Sequence, residues 1–347
     1  MKKTKQIRIG NVPVGGGAPI SVQSMGNRNP HDEKAIIEQI LELKAADCEI
    51  MRLAVPDEEA AKVFKKVKAE SPLPLIADIH FDHKLALMAI EAGADGLRIN
   101  PGNIGKRQRV EAVVKAAAER KLPIRIGVNA GSISKGKLKK YGGPTVEAMV
   151  ESAMEHVAIL EGLNFDLIKI SIKASDVRKT IEAYREISKR VDYPLHLGVS
   201  EAGTPFGGTI KSAIGIGILL NEGIGDTIRV SLTADPVLEV KTAYEILKAL
   251  DIRRITPEII SCPTCGRCDI DLMELARRAE SAISKMKKPI KIAIMGCVVN
   301  GPGEAREADI GVAGGKDCGV IFKKGKIIRK EPEDRLYNAL MEELQKL

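Results

Sequence analysis

The chain has 347 residues, 44% of them apolar and 29% charged, which excludes a disordered or collagen-like polymer and leaves room for two domains or one large one. Its 54 basic and 46 acidic side chains give a net charge of +8, a mild excess that favours anionic partners. Aromatic residues make up only 3%, with no Trp, too few for the stacking platforms of single-strand sites, so a small anion is expected as partner and nucleic acid is not.

The chain starts with a basic stretch, Met1 to Arg8, but the following segment is broken by Pro13, three consecutive glycines and Pro19, so it does not read as a secretion signal. The segment Ile7 to Pro19 reads as a hairpin turning at Gly10-Asn11, placed to plug the bottom of whatever follows. The longest apolar-looking stretch, Ala213 to Leu220, is interrupted by glycine and too short to span a bilayer. The expectation is a cytoplasmic protein with no membrane partner.

From Ile20 onward short β-rich runs recur: ISVQSM at Ile20, EIMRLAV at Glu49, LPLIADIH at Leu73, GLRIN at Gly96, PIRIGVN at Pro123, LIKISIK at Leu167, PLHLGVS at Pro194 and TIRVSLT at Thr227. Between them lie helical patterns, such as Asp32 to Ala46 with Ile36, Ile37, Ile40, Leu41 and Leu43 on one face, and Pro144 to Gly162. The last of these helices is Asp235 to Leu250. Eight strand–helix units in about 250 residues match a (β/α)8 TIM barrel. A doubly wound open sheet would carry a glycine fingerprint after its first strand, and none follows Met25.

The pattern changes after Asp251. Arg253 to Pro257 reads as a linker, followed by a cysteine loop, a helix from about Asp269 to Lys287, a strand Ile290 to Met295, a glycine-rich loop, a strand Gly319 to Phe322 and a terminal helix near Glu333 to Leu347. The expected fold class is therefore α/β: a TIM barrel over residues 1–251 that binds the anion, then a small α/β domain over 252–347 whose modest core calls for outside support.

Barrel enzymes carry their chemistry at the C-terminal ends of the strands. The polar residues expected there include Gln23, Ser24, Arg52, Asp78, His80, Arg98, Asn100, Arg125, Asn129, Lys169, Lys173, His196, Ser200, Glu201, Arg229, Ser231 and Thr233. Strand alternation puts Lys169, Ser171 and Lys173 on one face and Arg229, Ser231 and Thr233 on another, each opposite an isoleucine- or leucine-bearing face that meets the helices. Only Asp78 and Glu201 offer carboxylates against four arginines and two lysines. Such a mouth suits a polyanion, and the fork of arginine suits phosphate oxygens, so a diphosphate is the expected ligand. His80 and His196 read as hydrogen-bonded lumen groups or proton donors rather than metal ligands.

Five of the six cysteines fall in the last quarter of the chain, which is not how a disulfide framework is distributed. Cys262, Cys265 and Cys268 form two overlapping CxxC spacings, and Cys297 follows in a Gly296-Cys297 pair before Asn300-Gly301-Pro302-Gly303-Glu304. Spacing alone leaves zinc and an iron–sulfur cluster both open. The glycine-rich turn, able to aim backbone amides at sulfides, favours the cluster. Cys48 and Cys318 read as small buried hydrophobes.

The runs SVQSM, MRLAVP, ADIHF, LRINPGNIG, RIGVNAGS, IKASD and RVSLTADP, with CPTCGR and GCVVNGPGEA, span nearly the whole chain. In them the sequence resembles the 4-hydroxy-3-methylbut-2-en-1-yl diphosphate synthase family, iron–sulfur enzymes of the methylerythritol phosphate route to isoprenoids. The resemblance implies a second domain of sulfite/nitrite-reductase-like fold. It implies reductive ring opening and dehydroxylation of 2-C-methyl-D-erythritol 2,4-cyclodiphosphate, an anionic cyclic diphosphate, with two electrons from ferredoxin or flavodoxin. It implies a 4Fe-4S cluster held by Cys262, Cys265, Cys297 and Glu304, the carboxylate being the exchangeable ligand. By the same carry-over Arg52, Arg98, Arg125, Lys173, Arg229 and Ser231 hold the diphosphate, Asn129 contacts the substrate, and Glu201 is the acid near the leaving hydroxyl. A head-to-tail homodimer is implied, the cluster domain of one chain capping the barrel of the other. This chain departs from the family at Gly26-Asn27-Arg28-Asn29-Pro30, where a threonine-rich turn is usual, and in carrying Cys268, which spacing alone would make the fourth ligand. The competing expectation is a zinc-ribbon barrel that binds nucleic acid or another polyanion.

Overall fold

Asp32, Asp57, Asp82, Asp176 and Asp235 each stand immediately before a helix, and in the computed structural model each carboxylate accepts a backbone N–H of the first helical turn. The caps satisfy donors that a helix start leaves open and fix where each strand-to-helix connection ends. The structure describes residues 2–284, 286–297, 307–316 and 318–347. It divides into two compact units, Met1–Arg253 and Arg254–Leu347.

The first unit opens on an antiparallel hairpin, β1 (Ile7–Ile9) and β2 (Val12–Val14), turned through Gly10 at φ +56°. Eight parallel strands follow: β3 (Ser21–Met25), β4 (Ile50–Ala54), β5 (Leu75–Asp78), β6 (Gly96–Ile99), β7 (Ile124–Asn129), β8 (Ile168–Lys173), β9 (His196–Leu197) and β10 (Thr227–Ile228). Their order is β8-β7-β6-β5-β4-β3-β10-β9, and the bridge Ile170–Leu195 brings the chain entering β9 against β8, closing a TIM barrel. Ile7, Ile9 and Val14 of the hairpin pack on Ile50 and Ile76, at the lower ends of β4 and β5, so the hairpin seals the bottom. No helix among the described residues is long and apolar enough to cross a membrane.

The seam at β8 and β9 is thin in backbone pairing, and a side chain bridges it. Tyr184, fully buried on the helix Val177–Arg190, accepts a hydrogen bond from Ile172 N at 3.2 Å and donates one to the His196 carbonyl. One phenol thereby satisfies a backbone donor of β8 and an acceptor of β9.

The second unit is a five-stranded sheet in the order β11 (Glu258–Ser261), β12 (Lys291–Met295), β13 (Ile310–Gly315), β14 (Cys318–Lys323) and β15 (Lys326–Pro332). The first three strands run parallel and the last two antiparallel. Ile292, Ile294, Ile310, Val312 and Ile321 meet the helices Leu272–Ile283 and Leu336–Gln345 in one core, while Ala293, Met295, Ala313 and Phe322 form a smaller cluster with Ala308. The helix expected from Asp269 starts only at Leu272, because Asp269 N is taken by the Gly296 carbonyl and Asp271 caps the first turn. The strand β13 was not expected in the glycine-rich stretch. There a Cβ on Gly311 would sit 2.4 Å from the Ala293 carbonyl oxygen, so the missing side chains permit the pairing.

Replacing Tyr184 with Phe strands two buried backbone groups. Tyr184→Phe is expected to lower barrel stability by about 1–3 kcal/mol, read as an earlier urea midpoint at unchanged slope.

Candidate functional site

Alternation along the barrel strands aims one set of residues inward. Cross-strand pairing then stacks them: Arg98 beside Arg125, Arg125 beside Lys169, Gly127 beside Ser171 and Asn129 beside Lys173. Arg98, Arg125, Lys169, Lys173 and His196 are all buried.

Asp78, at the end of β5, is the hub. Its carboxylate lies 3.5 Å from Arg52 Nε and 3.2 Å from Arg98 Nη1. Burial pushes this carboxyl up, but the charges of Arg52, Arg98 and Arg125 outweigh it and hold Asp78 below the usual carboxylate range. The cations feel the opposite pressure. Burial, reinforced by Arg229 and Arg98, brings Arg52 down to about 10 despite Asp78 beside it. Burial and the neighbouring Arg52 and Arg98 charges push Arg125 well down, and burial with Arg125 and Arg229 does the same to Lys173. A ligand that brings negative charge relieves each of these groups at once.

Two glycines make room for this crowd. A Cβ on Gly127 would sit 2.6 Å from Arg98 Nε, and one on Gly198 would sit 2.6 Å from Lys173 Nζ and 2.4 Å from the Arg229 carbonyl oxygen. Gly127 also receives Arg98 directly, its carbonyl accepting from Nη2 at 3.4 Å.

Around the rim, Asn129 Oδ1 accepts from Ser200 Oγ at 3.4 Å, which ties the end of β7 to the loop carrying Glu201. Glu201 is exposed and takes a positive φ of +52°, uncommon for a residue with a side chain. Ser231 is half-buried in the segment after β10, beyond Arg229, and His80 Nδ1 lies 3.0 Å from Arg98 Nη1. Arg52, Arg98, Arg125, Asn129, Lys173 and Arg229 are therefore gathered on the inner wall and its rim, with Glu201 and Ser231 on the connecting loops.

Two features differ from the reading along the strands. Lys169 lies near the start of β8, in register with Arg125 near the start of β7, so both sit deeper in the lumen than the strand ends. A third carboxylate, Glu239, reaches in from the helix Pro236–Ala249, 3.3 Å from Arg229 Nη2, accepting also from Leu232 N at 2.9 Å and Ser24 Oγ at 3.3 Å. Its signal in the sequence is an acidic residue beside Val240 on a helix face that is otherwise uncharged.

In the second unit the cysteine loop follows β11. Cys262 Sγ accepts a hydrogen bond from Gly296 N at 3.2 Å, and Cys297, buried, comes two residues after β12. Cys265 is exposed, and the Arg267 backbone N–H holds its thiol below the ordinary range. Cys268 turns its Sγ to the Ile270 carbonyl at 3.2 Å and occupies the space over Gly296, where a Cβ would lie 2.5 Å from it. Cys48 is buried ahead of β4, with its thiol pushed up to about 12 by burial, whereas Cys318 is only half-buried. Among the described residues no group of three or more His, Cys, Asp or Glu side chains is arranged to hold a metal ion, and Glu304 lies outside the described residues. The donors still suit an iron–sulfur group: thiols at the ends of two adjacent parallel strands, with a backbone N–H aimed at sulfur.

A cation-lined TIM barrel joined to a small cysteine-bearing domain defines a class, the two-domain barrel enzymes. The model of the GcpE TIM-barrel domain matches residues 4–244, and that of the GcpE protein C-terminal domain matches residues 258–346. A protein of Geobacter sulfurreducens named 4-hydroxy-3-methylbut-2-en-1-yl diphosphate synthase (flavodoxin) is 60% identical over 345 residues, covering 99% of this chain and 98% of its own. One of the same name from Lawsonia intracellularis is 60% identical over 347 residues, covering 100% and 97%. Dihydropteroate synthase of Xanthomonas albilineans shares the barrel fold, with a TM-score of 0.50 at 12% identity over 72% of this chain and 98% of that one. The chain belongs to the GcpE, or 4-hydroxy-3-methylbut-2-en-1-yl diphosphate synthase, family of oxidoreductases. The competing expectation of a zinc-ribbon barrel that binds nucleic acid finds no support in these relatives, which are named as enzymes.

Because Asp78 is held below its unfolded value near 4, it contributes stability above that value and loses it as pH falls through the folded one. Asp78→Asn is expected to lose this acid limb and to cost about 3–5 kcal/mol at pH 7 by leaving buried arginines unpaired, measured as melting temperature against pH.

Proposed function

We propose that this chain reduces 2-C-methyl-D-erythritol 2,4-cyclodiphosphate to 4-hydroxy-3-methylbut-2-en-1-yl diphosphate, opening the ring and releasing one hydroxyl as water, with two electrons and the balancing protons taken up. The observation that carries the reading is the lumen itself, in which Arg52 and Arg98 pair with Asp78, Arg229 pairs with Glu239, and Arg125 and Lys173 share the field of these cations without a carboxylate of their own among the described residues. The names of the 60%-identical relatives support the product and point to flavodoxin rather than ferredoxin as donor. The free thiols suit the reducing cytoplasm.

In this reading residues 1–251 bind substrate and 252–347 carry the redox group. Arg52, Arg98, Arg125, Lys173, Arg229 and Ser231 hold the diphosphate, the arginines by paired N–H donors. Asn129, braced by Ser200, orients the carbon skeleton, and Glu201 on its exposed loop protonates the leaving hydroxyl. Cys262, Cys265, Cys297 and Glu304 would hold a 4Fe-4S cluster. When bound, that group passes single electrons from the donor to the substrate. Gly296 N–H, bonded to Cys262 Sγ, is placed to stabilise the ligating thiolate. Cys268 is assigned to packing, since its thiol is turned to the Ile270 carbonyl.

A homodimer with the cluster domain of one chain over the barrel of its partner completes the proposal. It is supported by Phe206, Ile210, Ile214 and Ile218, an exposed apolar row at four-residue spacing on one barrel helix.

Anaerobically purified protein is expected to turn over the cyclic diphosphate with reduced flavodoxin; no turnover with any low-potential donor overturns the assignment. Lys173→Met is expected to lower kcat/KM on the order of 100-fold by removing a charged contact. Cys262→Ser and Glu304→Ala are expected to lose iron and visible absorbance while Cys268→Ser keeps both. A cluster retained in Glu304→Ala but lost in Cys268→Ser reverses the ligand assignment.

A further inference from the structure

Among the residues assigned to the diphosphate lies a lysine that the assignment leaves unused. Lys169 is the second residue of β8, the cross-strand neighbour of Arg125, two residues below Ser171 and four below Lys173. It is 1% exposed, and its Nζ has no hydrogen-bond partner. Other strands bring further unpartnered groups inward: both ends of the Gln23 amide from β3, and His196 Nε2 from β9, whose Nδ1 is 2.5 Å from Thr227 Oγ1 of β10. The charges acting on Lys169 are Arg125, Arg52 and the lone opposing Asp226, with His196 in the same field. Asp226 is already engaged, accepting from Thr4 Oγ1 and Leu195 N, each at 2.8 Å.

An enclosed ammonium with no partner and two guanidinium neighbours is costly. The arginines cannot relieve the crowding, since guanidinium keeps its proton, but an amine can shed one. Burial and the Arg125 and Arg52 charges accordingly push Lys169 well below its ordinary range. An incoming dianion reverses the balance, because the field that expelled the proton is offset by the ligand above.

We propose that Lys169 is a further positioning residue of this barrel, a neutral amine in the free enzyme that takes up one proton from solvent when the diphosphate binds and so matches the lumen's charge to that of its ligand. The proposal rests on the cyclic diphosphate reading and deepens it. Lys169 acts through Arg125: while neutral it spares Arg125 a further like charge beside those of Arg52 and Arg98, and once protonated it adds its field to the lumen that holds the anion.

The test is calorimetric titration of the full-length holoenzyme with 2-C-methyl-D-erythritol 2,4-cyclodiphosphate, without reductant, in two buffers of different ionisation enthalpy near pH 8. Each phosphorus of that ligand is bound through one ester and one bridging anhydride oxygen and keeps a single strongly acidic oxygen, so it has no group titrating there and any proton uptake belongs to the protein. Wild type is expected to take up protons, and Lys169→Met about one fewer, with affinity about tenfold weaker and a slope of log Kd against pH smaller by about one. Lys169→Arg, permanently charged, is expected to lose the same proton, and it carries the comparison if Lys169→Met does not fold. Binding by wild type without proton uptake, or unchanged uptake in either variant, overturns the proposal while leaving the substrate reading intact. Failure of wild type to bind the cyclic diphosphate overturns the substrate reading, and this proposal with it.

Discussion

Arg52, Arg98, Arg125, Lys169, Lys173 and Arg229 share the interior of one barrel with Asp78 as the only carboxylate on the same set of strands, and the arrangement of the first unit follows from holding that charge in place. Strand alternation supplies the positions, because every second residue points inward. Tyr184 and the register of β7 against β8 keep those positions rigid. The helix Pro236–Ala249 lends Glu239 to Arg229, and Gly127 and Gly198 give up side chains so that Arg98 and Lys173 have somewhere to lie. A barrel with a neutral interior needs none of these devices.

The second unit solves a different problem with the same economy of means. Its strands β11 and β12 run parallel, so the segments leaving their C-terminal ends emerge side by side, and those segments carry the thiols. Its core is spread over both faces of a single sheet, with two helices on one side. Bonds between the cysteine segments and a metal group would therefore add directly to the stability of this unit.

Much of the architecture was legible because it rests on periodicity. The alternating Ile168–Lys173 run announces both a strand and its inward cations, and the hairpin was readable from Gly10-Asn11 between alternating residues. Glu239 escaped because it belongs to a helix, whereas the search for lumen carboxylates followed strands. The depth of Lys169 escaped too, since residue parity gives the face of a strand but not the height along it. In the second unit, β13 is masked by glycines that exist to let neighbours approach, and β15 is a largely exposed outer strand rich in charge, so neither shows the apolar pattern by which strands are recognised.

The hairpin of β1 and β2 gives the lumen the character of a cul-de-sac. In the proposed reading, ligand would enter from the opposite end, and an anion seated there would act as a stopper over the residues nearer the hairpin. The effective dielectric around the cations would then fall on binding, and each remaining charge–charge attraction would strengthen. A loosened hairpin would leave each cation at its post and still weaken the grip, by letting solvent in through the floor.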